Sequence, residues 1–436
     1  MVKTSLVLAY IVAVLSPAAL AVISDNGFGG FSLSAFADLC ALAATAILAM
    51  QYVLSARLHW IERRFGLDRV MLFHRAMAIA AFSLLALHPL LLAADSYGWS
   101  LLFSVSGGWK VLTGKLALAA LAVTAATSLL RRVFAMKYEA WLGLHNILAL
   151  LVLAGGLVHG WAMDVHVAGT ALRFLWTGFA VVAMAMHAYK RLVRPALLRK
   201  NAFTVADVRQ ETHNVWTLSM TPPPGKKAPR FLPGQFHFLT LLRKGEKRPQ
   251  EHPFTISSSP ENRDAVESSI KASGDYTATI GKTRPGDRAI LDGPYGWFSY
   301  LLRPQEKKLA FIAGGIGITP FMSMIRSMRD RNEAMDVVLF YANRTEKDIA
   351  FRQELEQIAA AGVPRLTLVL LLNAPSDAWT GEQGRVTVDR IKKECGKLDQ
   401  WAFYLCGPSP MMMSLARDLR IAGVSKAKVR FERFSI

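Results

Sequence analysis

Along the first 190 or so residues the apolar positions come in unbroken runs, with no alternation. Runs over 5–23, 33–56, 70–94, 116–130, 142–162 and 171–189 mostly approach the roughly 20 residues that a membrane-crossing helix needs. The pattern predicts six transmembrane helices. The first run, with Lys3 ahead of it and Ala19 to Ala21 at its end, also has the outline of a signal peptide, but an uncleaved helix is the preferred reading. Past the basic stretch ending at Lys200 the texture changes. "FTVADVRQETHNVWTLSM" alternates apolar and polar residues, and short runs punctuated by "LPGQF", "RPGD" and "DGPYG" continue to about residue 303. This predicts an antiparallel β-barrel. From Lys308 the runs become buried strand, glycine turn and helix: "LAFIAGGIGITPFMSMIRSM", then "VVLFYANR", "IAFRQELEQIAAAG", "LTLVLLL", "AFYLCGP" and "MMMSLARDL". That succession predicts a doubly wound α/β domain with a parallel sheet. The expected domains are 1–198, 199–304 and 305–436.

Charge sharpens the picture. Lys and Arg total 51 against 32 acidic residues, a net charge of +19, which would suit nucleic acid if the cations did not follow the membrane pattern. Arg57, Arg63, Arg64 and Arg69 fall in one loop, Arg131, Arg132 and Lys137 in the next loop on that side, and Lys190, Arg191, Arg194, Arg199 and Lys200 after the sixth run. The opposite loops hold Asp25, Asp95 and Asp164, with Lys110 and Lys115 as their clear cations. The asymmetry makes the arginine-rich side cytoplasmic and predicts a multi-pass protein of the inner membrane with its C-terminal half in the cytoplasm. No nucleic-acid partner is indicated. Cys40, Cys395 and Cys406 lie far apart without CxxC spacing, so neither a disulfide framework nor a zinc or iron–sulfur site is indicated.

Polar side chains inside a bilayer are costly and point to function. The third run carries His74 and His88, and the fifth carries His145 and His159. Each pair is 14 residues apart, about 40° short of four full turns, so both members share a helix face about 21 Å apart along the axis. On two helices that run in the same direction, His74 faces His145 near the inner surface and His88 faces His159 near the outer one. Two matched pairs fit two haems with axial imidazoles. No CxxCH attachment site exists, which makes them b-type. A zinc or copper path would need carboxylates or closer clusters at the same depth. His187 and His59 have no such mate and read as ordinary interior or interfacial residues.

In the α/β segment Gly314, Gly315 and Gly317 follow the first strand and let backbone amides approach a pyrophosphate at a helix N-terminus. The spacing is not GxGxxG, and tight strand-to-helix packing would explain it equally. Thr319 and Pro320 open the helix, and "CGP", Cys406 to Pro408, ends a later strand. The run Met411 to Met413 reads as core filler.

"HPFTISS" at 252–258, "KASGDYT" at 271–277, "DGPYG" at 292–296, "GGIGITPF" at 314–321, "YLCGP" and the terminal "FERF", together with the histidine pairs, resemble the ordered motifs of the NADPH oxidase and ferric reductase family in its bacterial form. The likeness covers nearly the whole chain. It implies a six-helix di-haem membrane domain fused to an FAD domain and an NAD(P)H domain. It also implies electron flow from cytoplasmic NADPH through FAD and two b-type haems to an extracytoplasmic acceptor, O2 or a ferric chelate. The alternative is an electron-relay subunit that supplies a periplasmic protein. Carried over, His252, Pro253, Phe254, Thr255 and Ser257 belong to the flavin site, and Lys271, Gly274 and Thr277 lie at the FAD diphosphate. Gly314, Gly315, Gly317, Thr319 and Pro320 hold the nicotinamide cofactor's diphosphate. Cys406, Gly407 and Pro408 border the nicotinamide, although Cys406 would equally serve as a small core residue. Arg344, with Lys347 near it, meets a 2′-phosphate and favours NADPH over NADH. Phe434 stacks on the flavin and must swing away before hydride transfer. One departure concerns the acceptor: superoxide-forming eukaryotic members have a further His where this chain has Leu92, and an Arg in the outer half of the second helix that is missing here.

Overall fold

The computed structural model describes residues 2–24, 32–104, 108–163, 169–246 and 249–432. The chain divides into two compact units, Met1–Pro195 and Ala196–Ile436.

The first unit is helical: α1 (Val2–Ser24), α2 (Leu33–Ser55), α3 (His59–Phe65), α4 (Leu67–Leu92), α5 (Ser100–Phe103), α6 (Gly108–Leu129), α7 (Tyr138–Ala162) and α8 (Gly169–Ala188). Six of these, α1, α2, α4, α6, α7 and α8, are long and apolar enough to cross a membrane. Ser32 caps α2 by accepting from the Ala35 N–H at 3.1 Å, which satisfies one of the amides a helix start leaves open. Fully buried Ala37, Ala44 and Ala46 let α2 pack closely against α1, α4 and α8, as small residues do where lipid supplies no drive for association. Large apolar side chains such as Leu72, Ile147, Phe174 and Val181 are exposed, the surface that contact with lipid tails requires. Helix α6 begins eight residues before its apolar run, at Gly108 instead of 116. The Lys115 ammonium reaches back to the carbonyl oxygens of Leu101 and Ser104, so two of its N–H donors are satisfied.

The second unit contains two six-stranded sheets. A short basic helix, α9 (Arg194–Lys200), spans the division between the units. The first sheet is built from β1 (Phe203–Thr212), β2 (Val215–Thr221), β3 (Phe236–Leu242), β4 (Glu251–Thr255), β5 (Val266–Lys271) and β6 (Arg288–Tyr295), in the order β4-β3-β6-β1-β2-β5. Its ladders are all antiparallel, but the expected barrel is not closed. The chain leaving β4 spans the gap between the two edge strands with single bonds instead of a ladder: Ile256 N–H to the Gln235 carbonyl and Ser257 N–H to the Glu267 carbonyl, each 2.9 Å. Alternation along a strand encodes which face is buried, not whether distant edges meet.

The second sheet is built from β7 (Lys308–Gly314), β8 (Asp336–Asn343), β9 (Arg365–Leu372), β10 (Glu382–Gln383), β11 (Ala402–Cys406) and β12 (Val429–Glu432), with α10 (Thr319–Asp330), α11 (Arg352–Ala361), α12 (Val388–Cys395) and α13 (Ser409–Ile421) connecting them. The order is β10-β9-β8-β7-β11-β12, all parallel. Leu309, Phe311 and Ala313 point into one core, and Ala310 and Ile312 into another across the sheet. Burial on both faces explains why this strand reads as a continuous apolar run. The strand order reverses between β7 and β11, the switch point at which open α/β sheets bind ligands.

Candidate redox-cofactor sites

The four histidines lie on α4 and α7 as expected. The rings of His74 and His145 have centroids 6.5 Å apart with planes at 61°. Two metal–nitrogen bonds of about 2 Å each plus two half-rings give about 6 Å between centroids, so the spacing suits two imidazoles bound to one iron. The His74 Nδ1 is buried without a hydrogen-bond partner, and the His145 Nδ1 lies 3.4 Å from the Ser128 hydroxyl. At the other end, the His88 Nδ1 is 3.0 Å from the Ala37 carbonyl oxygen and the His159 Nδ1 is 2.7 Å from that of Lys110. Donation from Nδ1 to a carbonyl fixes the tautomer and leaves the Nε2 lone pair for a metal, the usual outer contact of a ligating histidine. The ring spacing of the inner pair and the carbonyl contacts of the outer pair are each what haem-ligating imidazoles would need. Gly114 on α6 is part of this arrangement and has no signature in the sequence. A Cβ there would sit 2.8 Å from the His159 Cε1 and Nδ1. His187 packs edge-on to Tyr52, with centroids 5.9 Å apart, as an interior residue would.

In the antiparallel sheet, the His252 ring stacks on Tyr276 with centroids 4.0 Å apart and planes at 22°. That contact brings β4 beside the turn at 273–277, so the two groups of residues assigned to flavin and to diphosphate meet. The Ser273 and Gly274 amides both point at the Thr277 hydroxyl, at 3.0 and 2.9 Å, a convergence of donors suited to a phosphate oxygen. Lys271 is half-buried at the end of β5. Phe254 packs against the sheet's core, and Pro253 is paired with Phe238. The Thr255 hydroxyl is buried with no partner, a cost of about 1–3 kcal/mol that a ligand's polar edge would relieve. Ser257 is buried like Thr255, but its hydroxyl has a partner. Its hydroxyl lies 2.9 Å from that of Ser269 and it is fully buried, so its side chain belongs to the interior.

Beneath this site His237 is buried, 2.8 Å from the Ser268 hydroxyl, and burial pushes its imidazole down to about 4 while Asp292 opposes the shift. The unfolded chain takes up this proton below its ordinary pKa of about 6.5, the folded chain only near 4, so stability falls as pH drops through that window. The loss is roughly 3 kcal/mol. Thermal melts between pH 7.5 and 4.5 should fall less steeply for His237→Gln than for the parent chain.

At the switch point two strand-to-helix turns press together. A Cβ on Gly317 would lie 2.3 Å from the Cys406 carbonyl oxygen, one on Gly314 would lie 2.8 Å from the Pro408 Cδ, and one on Gly407 would lie 3.0 Å from the Gly314 Cα. Gly315 has φ +55°, a backbone that glycine adopts at no steric cost. The Thr319 hydroxyl donates to the Ile316 carbonyl at 3.1 Å, and Pro320 occupies the first turn of α10. Cys406 is fully buried at the end of β11, paired with Ala313. Met412 is buried, and Met411 packs against Gly314. Arg344 follows the buried Asn343 at the end of β8 and is exposed, as is Lys347. Phe434 lies outside the described residues.

Three family models match in the order of these parts: the ferric reductase like transmembrane component over residues 40–156, the FAD-binding domain over 200–299 and the oxidoreductase NAD-binding domain over 311–417. The chain is a member of the NADPH oxidase and ferric reductase family. The family's nucleotide-binding half is widely shared. The chain is 31% identical over 209 residues to the glycine betaine monooxygenase reductase subunit of Pseudomonas aeruginosa, covering 47% of this chain and 56% of that one. It is 31% identical over 208 residues to NADH-cytochrome b5 reductase 1 of Rattus norvegicus, covering 41% and 68%. The chain thus spans little more than half the length of the bacterial subunit. A flavohemoglobin from Malassezia yamatoensis shares the fold with a TM-score of 0.50 at 18% identity, over 92% of this chain and 97% of that one.

Proposed function

We propose that this membrane oxidoreductase moves electrons from cytoplasmic NADPH to an extracytoplasmic acceptor, O2 or a ferric chelate, with FAD and two b-type haems as its resident cofactors. The observation that carries this reading is the pairing of four histidines at two depths of the same two helices, in a chain that also carries FAD- and NAD-binding domains. Bound FAD and haem supply the conversion of a two-electron hydride into single electrons and a path for them through the bilayer. The chain's own part is to hold and orient. His74 with His145, and His88 with His159, present imidazole nitrogens at the two depths. Thr255 offers its unpaired hydroxyl to the flavin's polar edge, His252 and Tyr276 form the wall beside it, and the 273–277 turn receives the diphosphate. The turns at Gly314 to Gly317 and Cys406 to Pro408 shape the nicotinamide's place. The cation-rich segments after α2, α6 and α8 support a cytoplasmic position for this half.

The test is the purified full chain, loaded with FAD and haem. Pyridine haemochrome should count two haems per chain, and NADPH should drive reduction of O2 or of ferric citrate without another protein. If neither is reduced at turnover rates until a periplasmic fraction is added, the chain is a relay subunit. The same preparation tests Arg344. If its guanidinium meets a 2′-phosphate, Arg344→Ala will raise the KM for NADPH by roughly tenfold to a hundredfold, the worth of a charge-assisted contact, and leave that for NADH nearly unchanged. Equal shifts would make Arg344 structural.

A further inference from the structure

Hydride transfer requires two separately bound rings to be held at a fixed approach, and misplacement by about 1 Å can cost a hundredfold in rate. The two sheets that would bind those rings are joined across a cleft of about 820 Å³ lined by residues of both, Arg209, Glu267, Arg326 and Phe351 among them. Arg326, on α10, is buried in this junction. Its guanidinium donates from Nε and Nη2 to the Glu354 carboxylate at 2.7 and 2.6 Å, and from Nη1 to the Ser257 carbonyl at 2.9 Å and Glu267 Oε2 at 3.0 Å. One turn earlier the Ser323 hydroxyl donates to the Ser258 carbonyl at 2.7 Å. Both bonds grip the segment that runs on from Thr255 without a ladder of its own.

The other face of the guanidinium lies over the Phe351 ring, 5.3 Å from its centroid. Phe351 has φ 59° and ψ 20°, a left-handed backbone that is costly for a bulky residue and persists only where its surroundings enforce it. The N-terminus of α11 is therefore held out of its relaxed shape around Arg326. A route of rigid parts follows: Thr255 to the Ser257 and Ser258 carbonyls, across two hydrogen-bonded side chains to α10, and back along that helix to Thr319. Seven residues of helix, about 10 Å, separate Arg326 from Thr319.

We propose that Arg326, assisted by Ser323, is a positioning residue that sets the approach of the nicotinamide to the flavin. This rests on the reading of Thr255 and Thr319 as flavin-side and nicotinamide-side residues. The planar fork serves both partners at once, and a lysine cannot reproduce it. In stopped-flow reduction of the full-length, FAD-loaded chain, Arg326→Lys should slow hydride transfer from NADPH by about tenfold to a hundredfold. The long-wavelength charge-transfer absorbance between nicotinamide and flavin should weaken with it, while FAD content and NADPH affinity stay within about twofold. Ser323→Ala, which removes one hydrogen bond, should move the same two readouts in the same direction by a smaller amount, and it decides the matter if the Arg326 variant does not fold. Unchanged rate and unchanged absorbance overturn the proposal, as does a loss of rate that merely tracks loss of FAD. If the parent chain takes no hydride from NADPH or NADH, the functional reading falls and this inference with it.

Discussion

Replacing His159 with alanine is expected to leave the protein with one haem in place of two and to abolish reduction of any extracytoplasmic acceptor, a fall of at least about a hundredfold. NADPH should still reduce an artificial dye that takes electrons at the flavin, because the Ala196–Ile436 unit folds around its own sheets. Haem content by pyridine haemochrome, read beside dye reduction, checks both halves of the statement. Loss of dye reduction in a folded variant would show that the units do not act separately. A subtler version isolates geometry from ligation. Gly114→Ala leaves all four histidines in place but puts a methyl group 2.8 Å from the His159 ring. To avoid it the imidazole must swing away from the Lys110 carbonyl, and the same haem should bind weakly or not at all.

The second large effect is expected at Gly317. An alanine Cβ there meets backbone: the Cys406 carbonyl oxygen at 2.3 Å, its carbon at 2.6 Å and the Gly407 nitrogen at 2.8 Å. No side-chain rotation relieves such a contact, so the turns after β7 and β11 must part. The strain is about 1–3 kcal/mol or more. Gly317→Ala should raise the KM for NADPH by roughly tenfold or more while FAD and haem contents stay at parent levels. Those contents, measured by absorbance, separate a local lesion from general unfolding. Unaltered NADPH kinetics would place the nicotinamide away from these turns.

Much of this could be read from residue order, because much of it is local. The six membrane helices follow from run length. The histidine pairs follow from a spacing that one helix expresses by itself, and β7, β8, β9 and β11 follow from apolar runs bounded by glycine or polar residues. What was not legible depends on partners distant in sequence. The expected barrel is an open sheet because closure is decided between β4 and β5, whose residues carry no mark of it. Gly114 is one glycine in an apolar helix until His159, 45 positions later, is seen against it. Arg326 looks like a solvated charge near a helix end and is in fact buried between two glutamates and two sheets. Ser257 stands in the motif beside Thr255, yet its hydroxyl meets that of Ser269, a partner twelve positions later that the motif does not reveal.

The open edge of the antiparallel sheet has a consequence for life at high concentration. β4 is a five-residue edge strand, and an unpaired edge invites a strand from another copy to add to it. Proline is tolerated in a sheet where its nitrogen faces away from the neighbouring strand. Pro253, set against Phe238 of β3, therefore withholds a donor on the outward side, and Glu251 places a charge at the strand's start. A second chain has too short a run of amides to grasp. Pro253, which leads into "FT", thus bears on solubility as well as on any cofactor.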